Sequence, residues 1–201
     1  QIGGLPAVQS NQMVQIISEF ALPVLSFDNQ LVFNMICGLI IAVLAGTVII
    51  GGLTRIAKAS SWLVPIMGGL YVFTATFILI ANFEAVPNVI KIIFSDAFTG
   101  TSVAGGTLMG VIMYGIQRGA FSNEAGIGTE ALIHGTAKTN SPIKQGFVAM
   151  IGPIFDTLLI CTATAVVIIL SGLWMGDQYS GVSLTAMAFQ TFLGSAGIAV
   201  V

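Results

Sequence analysis

Between Asp28 and Arg55 the sequence has no Asp, Glu, Lys or Arg, and four more such stretches follow: 59–83, 97–117, 157–176 and everything after Asp177. A helix crosses the ~30 Å hydrocarbon core of a bilayer with about 20 mostly apolar residues, so these stretches are long enough to span. A soluble domain devotes roughly a quarter of its residues to charge. This chain devotes 7%, against 56% hydrophobic residues and a mean hydropathy of +0.99. Disorder needs the opposite balance. A net charge of −2 gives no electrostatic footprint for nucleic acid. Cys37 and Cys161 lie in apolar runs without metal-ligand spacing, so neither a disulfide framework nor a zinc site is expected. No basic leader with a cleavage site is visible. The apolar run that reaches Val201 without a polar flank predicts an internal piece of a longer membrane protein.

The gaps predict spans near 31–53, 63–83, 103–118, 146–171 and 183–201, within one membrane domain covering 1–201. A barrel would require alternating polarity on ~10-residue strands, which is absent, so the spans must be helices. The expected fold class is an all-α, polytopic membrane protein with about five transmembrane helices. Alternating spans put Arg55, Lys58, Arg118, Lys138 and Lys144 on one side of the bilayer. Glu19, Asp28, Glu84, Asp96 and Asp177 fall on the other, with Lys91 as the single base there. The positive-inside bias then makes the basic loops 54–62 and 118–145 cytoplasmic. Residues 86–98 put Val89, Ile92, Ile93 and Phe98 near one helical face, as an interfacial helix does. Residues 7–22 read either as a similar surface helix or as the tail of an earlier span. Trp62 and Trp174 fall at span ends, where aromatic anchors sit, and Pro65 reads as a first-turn proline.

The most informative stretch is 100–128, with glycines at 100, 105, 106, 110, 115, 119, 126 and 128. Each glycine costs about 1 kcal/mol relative to Ala inside a helix. Two readings account for such a series. Gly106 and Gly110 form a GxxxG spacing that permits close helix contact. Alternatively, the crossing is a discontinuous helix of the kind whose freed backbone groups hold substrate and cation in secondary transporters. On the second reading Met113, Tyr114, Gly115 and Gln117 are candidate substrate-binding residues, Tyr and Gln bringing polar reach into an apolar crossing. Arg118 and Glu124 can pair across the turn that follows. Ser122 and Asn123 can cap the next helix, and Gly126 helps shape the turn. His134, the only histidine, reads as a solvated or capping residue rather than a catalytic one.

Asp156 is the one acid embedded in a span, about ten residues or ~15 Å in from Gly146. An intramembrane carboxylate marks a functional site by default. It is either ionised and paired with a base or cation, or protonated and bonded to a neighbouring helix. Pro153 frees a backbone carbonyl nearby, and Thr157, Thr162 and Thr164 add hydroxyls. A structural or gating bond by Asp156 and Thr157 is favoured over direct ligation of a cation.

The block Gln117–Gly128, containing RGAFSNEAGIG, is followed by His134, Ala137-Lys138-Thr139, Gln145-Gly146, Ala149-Met150-Ile151-Gly152 and Asp156-Thr157. This run closely resembles the sodium:alanine (alanine or glycine:cation) symporters, and GGLTRIAKASSWLVP at 51–65 resembles that family's preceding cytoplasmic loop. The resemblance covers about residues 8–172. It implies a plasma-membrane symporter that couples sodium influx to uptake of a small neutral amino acid, chiefly alanine or glycine, by alternating access. It implies no cofactor, sodium being the co-transported ion, and its implied partners are the small neutral amino acid, sodium and the lipid bilayer. The implied fold is the leucine-transporter type, two inverted five-helix repeats. In it 31–53 and 63–83 would be the fourth and fifth helices, and 103–118 the discontinuous sixth. The spans 146–171 and 183–201 would be the seventh and the start of the eighth. The main sodium site, drawn largely from the first and eighth helices, would then lie mostly outside this chain. Val8-Gln9-Ser10-Asn11 resembles a segment near the end of the family's third helix, making Gln9 a further substrate candidate, against the reading of a solvated outer loop.

Other function classes fare worse. A single histidine cannot form the HExxH pair of an intramembrane zinc protease. Channels and scaffolds remain the alternative, but channel filters repeat their glycine-rich segments around an axis, and only one such segment occurs here.

Overall fold

The computed structural model describes residues 4–25, 29–98, 108–122, 128–176 and 179–201, and every regular element among them is helical. Three helices are long and apolar enough to cross a membrane: Gln30–Ile50, Thr54–Ala81 and Pro142–Ser171. Their outer faces carry large apolar side chains such as Leu39, Ile40, Leu44, Phe73, Leu63 and Leu158, all more than half exposed. In water such a surface would aggregate; against lipid it is the expected coat. The protein is an α-helical membrane protein.

The chain divides into two compact units. The first comprises Gln1–Thr74 and Ser171–Val201, the second Ala75–Leu170.

In the first unit, α1 (Gly4–Leu25) packs on α2 (Gln30–Ile50) and on α9 (Val182–Leu193). The sequence begins α2 with a side-chain cap: Asn29 accepts from the Leu31 N–H at 3.2 Å, and its carbonyl takes the Phe33 N–H at 3.1 Å. Such a cap is worth about 1 kcal/mol. Gly51 and Gly52 end the helix, Gly52 at φ +76°, a conformation that favours glycine. Helix α3 (Gly52–Ala81) starts at once. Residues 54–62 are therefore helix, where a basic loop was expected. The double glycine is the only breaker, and Thr-Arg-Ile-Ala-Lys-Ala-Ser-Ser contains good helix formers and no proline. Pro65 consequently stands inside α3 rather than in a first turn, and leaves the Ser61 carbonyl without its usual helical donor. Transmembrane helices tolerate this. Phe189 of α9 is fully buried and stacks on Tyr71, ring centroids 5.1 Å apart, with Ala186 and Ala188 buried beside it in sequence.

The expected last span, 183–201, is two helices. Gly194 separates α9 from α10 (Ser195–Val200) at φ +62°, ψ −147°. That region is essentially restricted to glycine. Beyond the bend, a Cβ on Gly197 would collide with the Phe189 backbone carbonyl, so the close approach also demands glycine.

In the second unit, Asn82 ends α3 by bonding back to the Ile78 carbonyl through its side chain at 2.9 Å. The amphipathic stretch forms α4 (Val86–Phe98), with Val89 buried and Lys91 and Asp96 exposed. Of its expected apolar face, Ile93 is exposed. Next come α5 (Leu108–Ser122), the short α6 (Thr129–Gly135) and α7 (Pro142–Pro153). Helix α7 starts four residues before the expected span. Ser141 accepts from the Lys144 N–H, and Pro142 occupies the first turn, where its missing N–H costs nothing. Pro153 then removes the donor for the Ala149 carbonyl, and the helix widens into a π-helical segment, Ile154–Cys161, before resuming as α8 (Thr162–Ser171). Val166 and Val167 of α8 are buried.

Candidate functional site

In the second unit α5 packs against the π-helical segment Ile154–Cys161, the segment that carries Asp156 and Thr157. π-helical turns in α-helices are frequent at functional sites. Asp156 is half-buried at the third position of the segment. It stands about 21 Å from Pro142, the middle of the 30-residue helix Pro142–Ser171. Thr157, also half-buried, presents its carbonyl to the Thr162 hydroxyl at 3.3 Å, and Thr164 donates to the Ile160 carbonyl at 2.7 Å. These hydroxyls occupy carbonyls that a wider helical turn would otherwise leave poorly paired.

Helix α5 runs unbroken from Leu108 to Ser122, through Gly110, Gly115 and Gly119. Among the described residues there is no interruption at Met113–Gln117; the 103–107 part of the expected discontinuous span lies outside them. Glycine penalties of about 1 kcal/mol each are spaced among Leu, Met, Ile, Gln and Arg, which restore helix propensity. Close packing does not explain Gly115 or Gly119 either, because an added Cβ would meet nothing within 4 Å at either position. Met113, Gly115 and Gln117 are exposed. Tyr114, Arg118 and Ser122 lie on the helix backbone. Asn123, Glu124, Gly126 and the glycines at 100, 105 and 106 lie outside the described residues.

His134 stands part-exposed in the last turn of α6, and its ring is also engaged by side chains. Gln145 Nε2 lies 2.7 Å from His134 Nδ1, which makes that nitrogen the acceptor in the neutral ring. Glu130 Oε1 is 3.7 Å from the other ring nitrogen, Nε2. Histidine thereby ties α6 to α7 beside a cavity of about 410 Å³ whose polar lining is His134, Thr139 and Gln145.

In the first unit a cleft of about 620 Å³ opens between α1 and α2, its polar wall formed by Ser10, Asn11, Gln30 and Asn34. Asn34 Oδ1 is buried, and no donor among the described residues reaches it. A buried acceptor left unpaired costs free energy. Gln9 is exposed and directly precedes this wall without forming part of it. Gln30 and Asn34 escaped the sequence reading. The signal was present as two amide side chains four residues apart at the start of a span, but amides near a helix start read equally well as interfacial polarity.

Residues 2–201 match the sodium:alanine symporter family. The chain belongs to that family. Among its relatives, the uncharacterized transporter YflA of Bacillus subtilis is 42% identical over 172 residues, covering 82% of this chain and 36% of the relative. The probable sodium/glutamine symporter GlnT of the same organism is 38% identical, covering 85% and 36%. The sodium/alanine symporter AgcS of Methanococcus maripaludis is 36% identical, covering 83% and 37%. The symporter-family chain thus spans little more than a third of the length of these relatives. Their names are those of transporters and symporters, and the family is one of transporters, not of enzymes.

Proposed function

We propose that this chain is part of a secondary symporter of the cell membrane that couples sodium influx to uptake of a small neutral amino acid, alanine or glycine, by alternating access. The observation that carries the reading is the family match over nearly the whole chain. The leucine-transporter-type fold, with its inverted repeats and sodium site built mostly elsewhere, belongs to the same proposal. So does a cytoplasmic position for the basic residues of 54–62 and 118–145. Gln9 on α1, and Met113, Tyr114, Gly115 and Gln117 on α5, are the proposed substrate residues. Arg118, Ser122, Asn123, Glu124 and Gly126 form the proposed gating turn after α5, with Asp156 and Thr157 on the π-helical segment packed against that helix. Glutamine is a second candidate substrate, because a relative of similar identity is named a sodium/glutamine symporter.

Uptake of labelled alanine, glycine and glutamine by vesicles holding the full-length protein, with and without a sodium gradient, tests the proposal. Gradient-dependent accumulation of one of them is expected. Uptake indifferent to sodium, or none, overturns it. Asp156→Asn is expected to insert and fold normally yet to slow uptake at least tenfold, because a carboxylate at mid-membrane is retained for function. Unchanged kinetics in that variant would remove Asp156 from the gate.

A further inference from the structure

Gln12, Gln15 and Ser18 recur along α1 at three-residue steps and so share one helical face. Two of them reach the start of α9. Gln12 Oε1 accepts from the Val182 N–H at 3.2 Å, and Gln15 Nε2 donates to Ser183 Oγ at 3.1 Å. The stripe is tied to its own helix by Ser18 Oγ, which donates to the Gln15 carbonyl at 2.9 Å. Ser183 and Ser18 are 2% and 3% exposed, so this is an interior contact.

The start of α9 needs such a partner. A helix begins with backbone N–H groups that have no acceptor within the helix, and a local Ser, Thr, Asp or Asn usually supplies one. The N-cap of α9 is Gly181, which has no side chain and sits at φ +60°. The acceptor comes instead from a residue 170 positions earlier in the chain. A Cβ on Gly181 would lie 3.1 Å from Gln12 Oε1, so glycine also opens the path for the amide. Farther along α9, the buried contacts of Ala186, Ala188 and Phe189 are apolar and non-directional. The two amides therefore supply what that packing lacks, a fixed axial register.

We infer that Gln12 and Gln15 are positioning residues: they seat the start of α9 against α1, and that seat sets the rate of transport without contact to the substrate. The kinetic part of this inference rests on the symporter reading above. The seat itself does not.

The full-length protein in vesicles provides the kinetic test. Gln12→Met removes the acceptor at similar length, and Gln12→Glu keeps one. The maximal uptake rate is expected to fall about fivefold in the Met variant, the factor a lost capping bond corresponds to, with KM within twofold of wild type and with Glu restoring the rate. A raised KM at unchanged maximal rate would mean that Gln12 touches substrate, and failure of Glu to restore the rate would exclude capping; either overturns the inference. Melting of Gln15→Met, Ser183→Ala and the double variant in detergent needs no transport. The double variant should lose less than the sum of the two singles, since both remove the same bond. Additive losses would overturn the seat, and would do so even if the wild-type protein carried no amino acid.

Discussion

Two glycine-rich stretches behave in opposite ways. Helix α5 holds glycines at 110, 115 and 119 and stays straight-through helix, while Gly194 alone divides α9 from α10. Among the described residues, then, glycine density does not mark where a helix breaks. In α5 each glycine keeps helical torsions between residues of high helix propensity, and the cost is only lost propensity. Gly194 adopts a conformation other residues reject, and three residues later Gly197 lets the chain pass against the Phe189 carbonyl. What breaks the helix is a position that only glycine can fill.

The sharpest way to break this comparison is Gly197→Ala. The added methyl would meet backbone, which cannot rotate aside, so a loss of about 3 kcal/mol is expected, read as a lowered melting temperature of the full-length protein. Gly194→Ala should follow at about 2 kcal/mol, the cost of holding a non-glycine residue in that region of torsion space. A loss below ~0.5 kcal/mol would mean that α9 and α10 can join into one helix. The smallest effect, and of opposite sign, is expected for Gly115→Ala. With open space around the new methyl and helical torsions kept, it should stabilise by up to about 1 kcal/mol. Loss of transport in the same variant while it melts higher would place Gly115 in the transport cycle, at the substrate or in a helix that must unwind, rather than in the stability of the fold.

Charge gaps made the membrane class and the three long helices legible, because an uncharged run of span length has few other homes. The Gln117–Gly128 block carried the family, although Asn123, Glu124 and Gly126 lie outside the described residues. Residues 54–62 were misjudged as a loop because Arg55 and Lys58 read as a mark of water, and contact with water does not end a helix. Ser141 and Pro142 signalled the true start of α7, but hydropathy alone put it at 146. The bend at Gly194 depends on backbone torsions, and the Gln12 and Gln15 bonds join residues about 170 positions apart; neither leaves a local pattern to read. Asp156 was recognised as an embedded acid, whereas the π-helical turn around it follows from how the helix absorbs Pro153.

The unbroken length of α3 has a mechanical consequence. Its 30 residues make a rod of about 45 Å, and a bilayer core accommodates about 30 Å of it. The surplus is about ten residues. If that surplus lies at the start of α3, as the proposed orientation has it, the water line falls near Trp62, with Arg55 and Lys58 on the protruding arm. At the ~20° tilt common for membrane helices, an arm of ~15 Å moves its tip sideways by roughly 5 Å. With α3 so placed, a tilt of the helix within lipid would displace two positive charges along the headgroup layer.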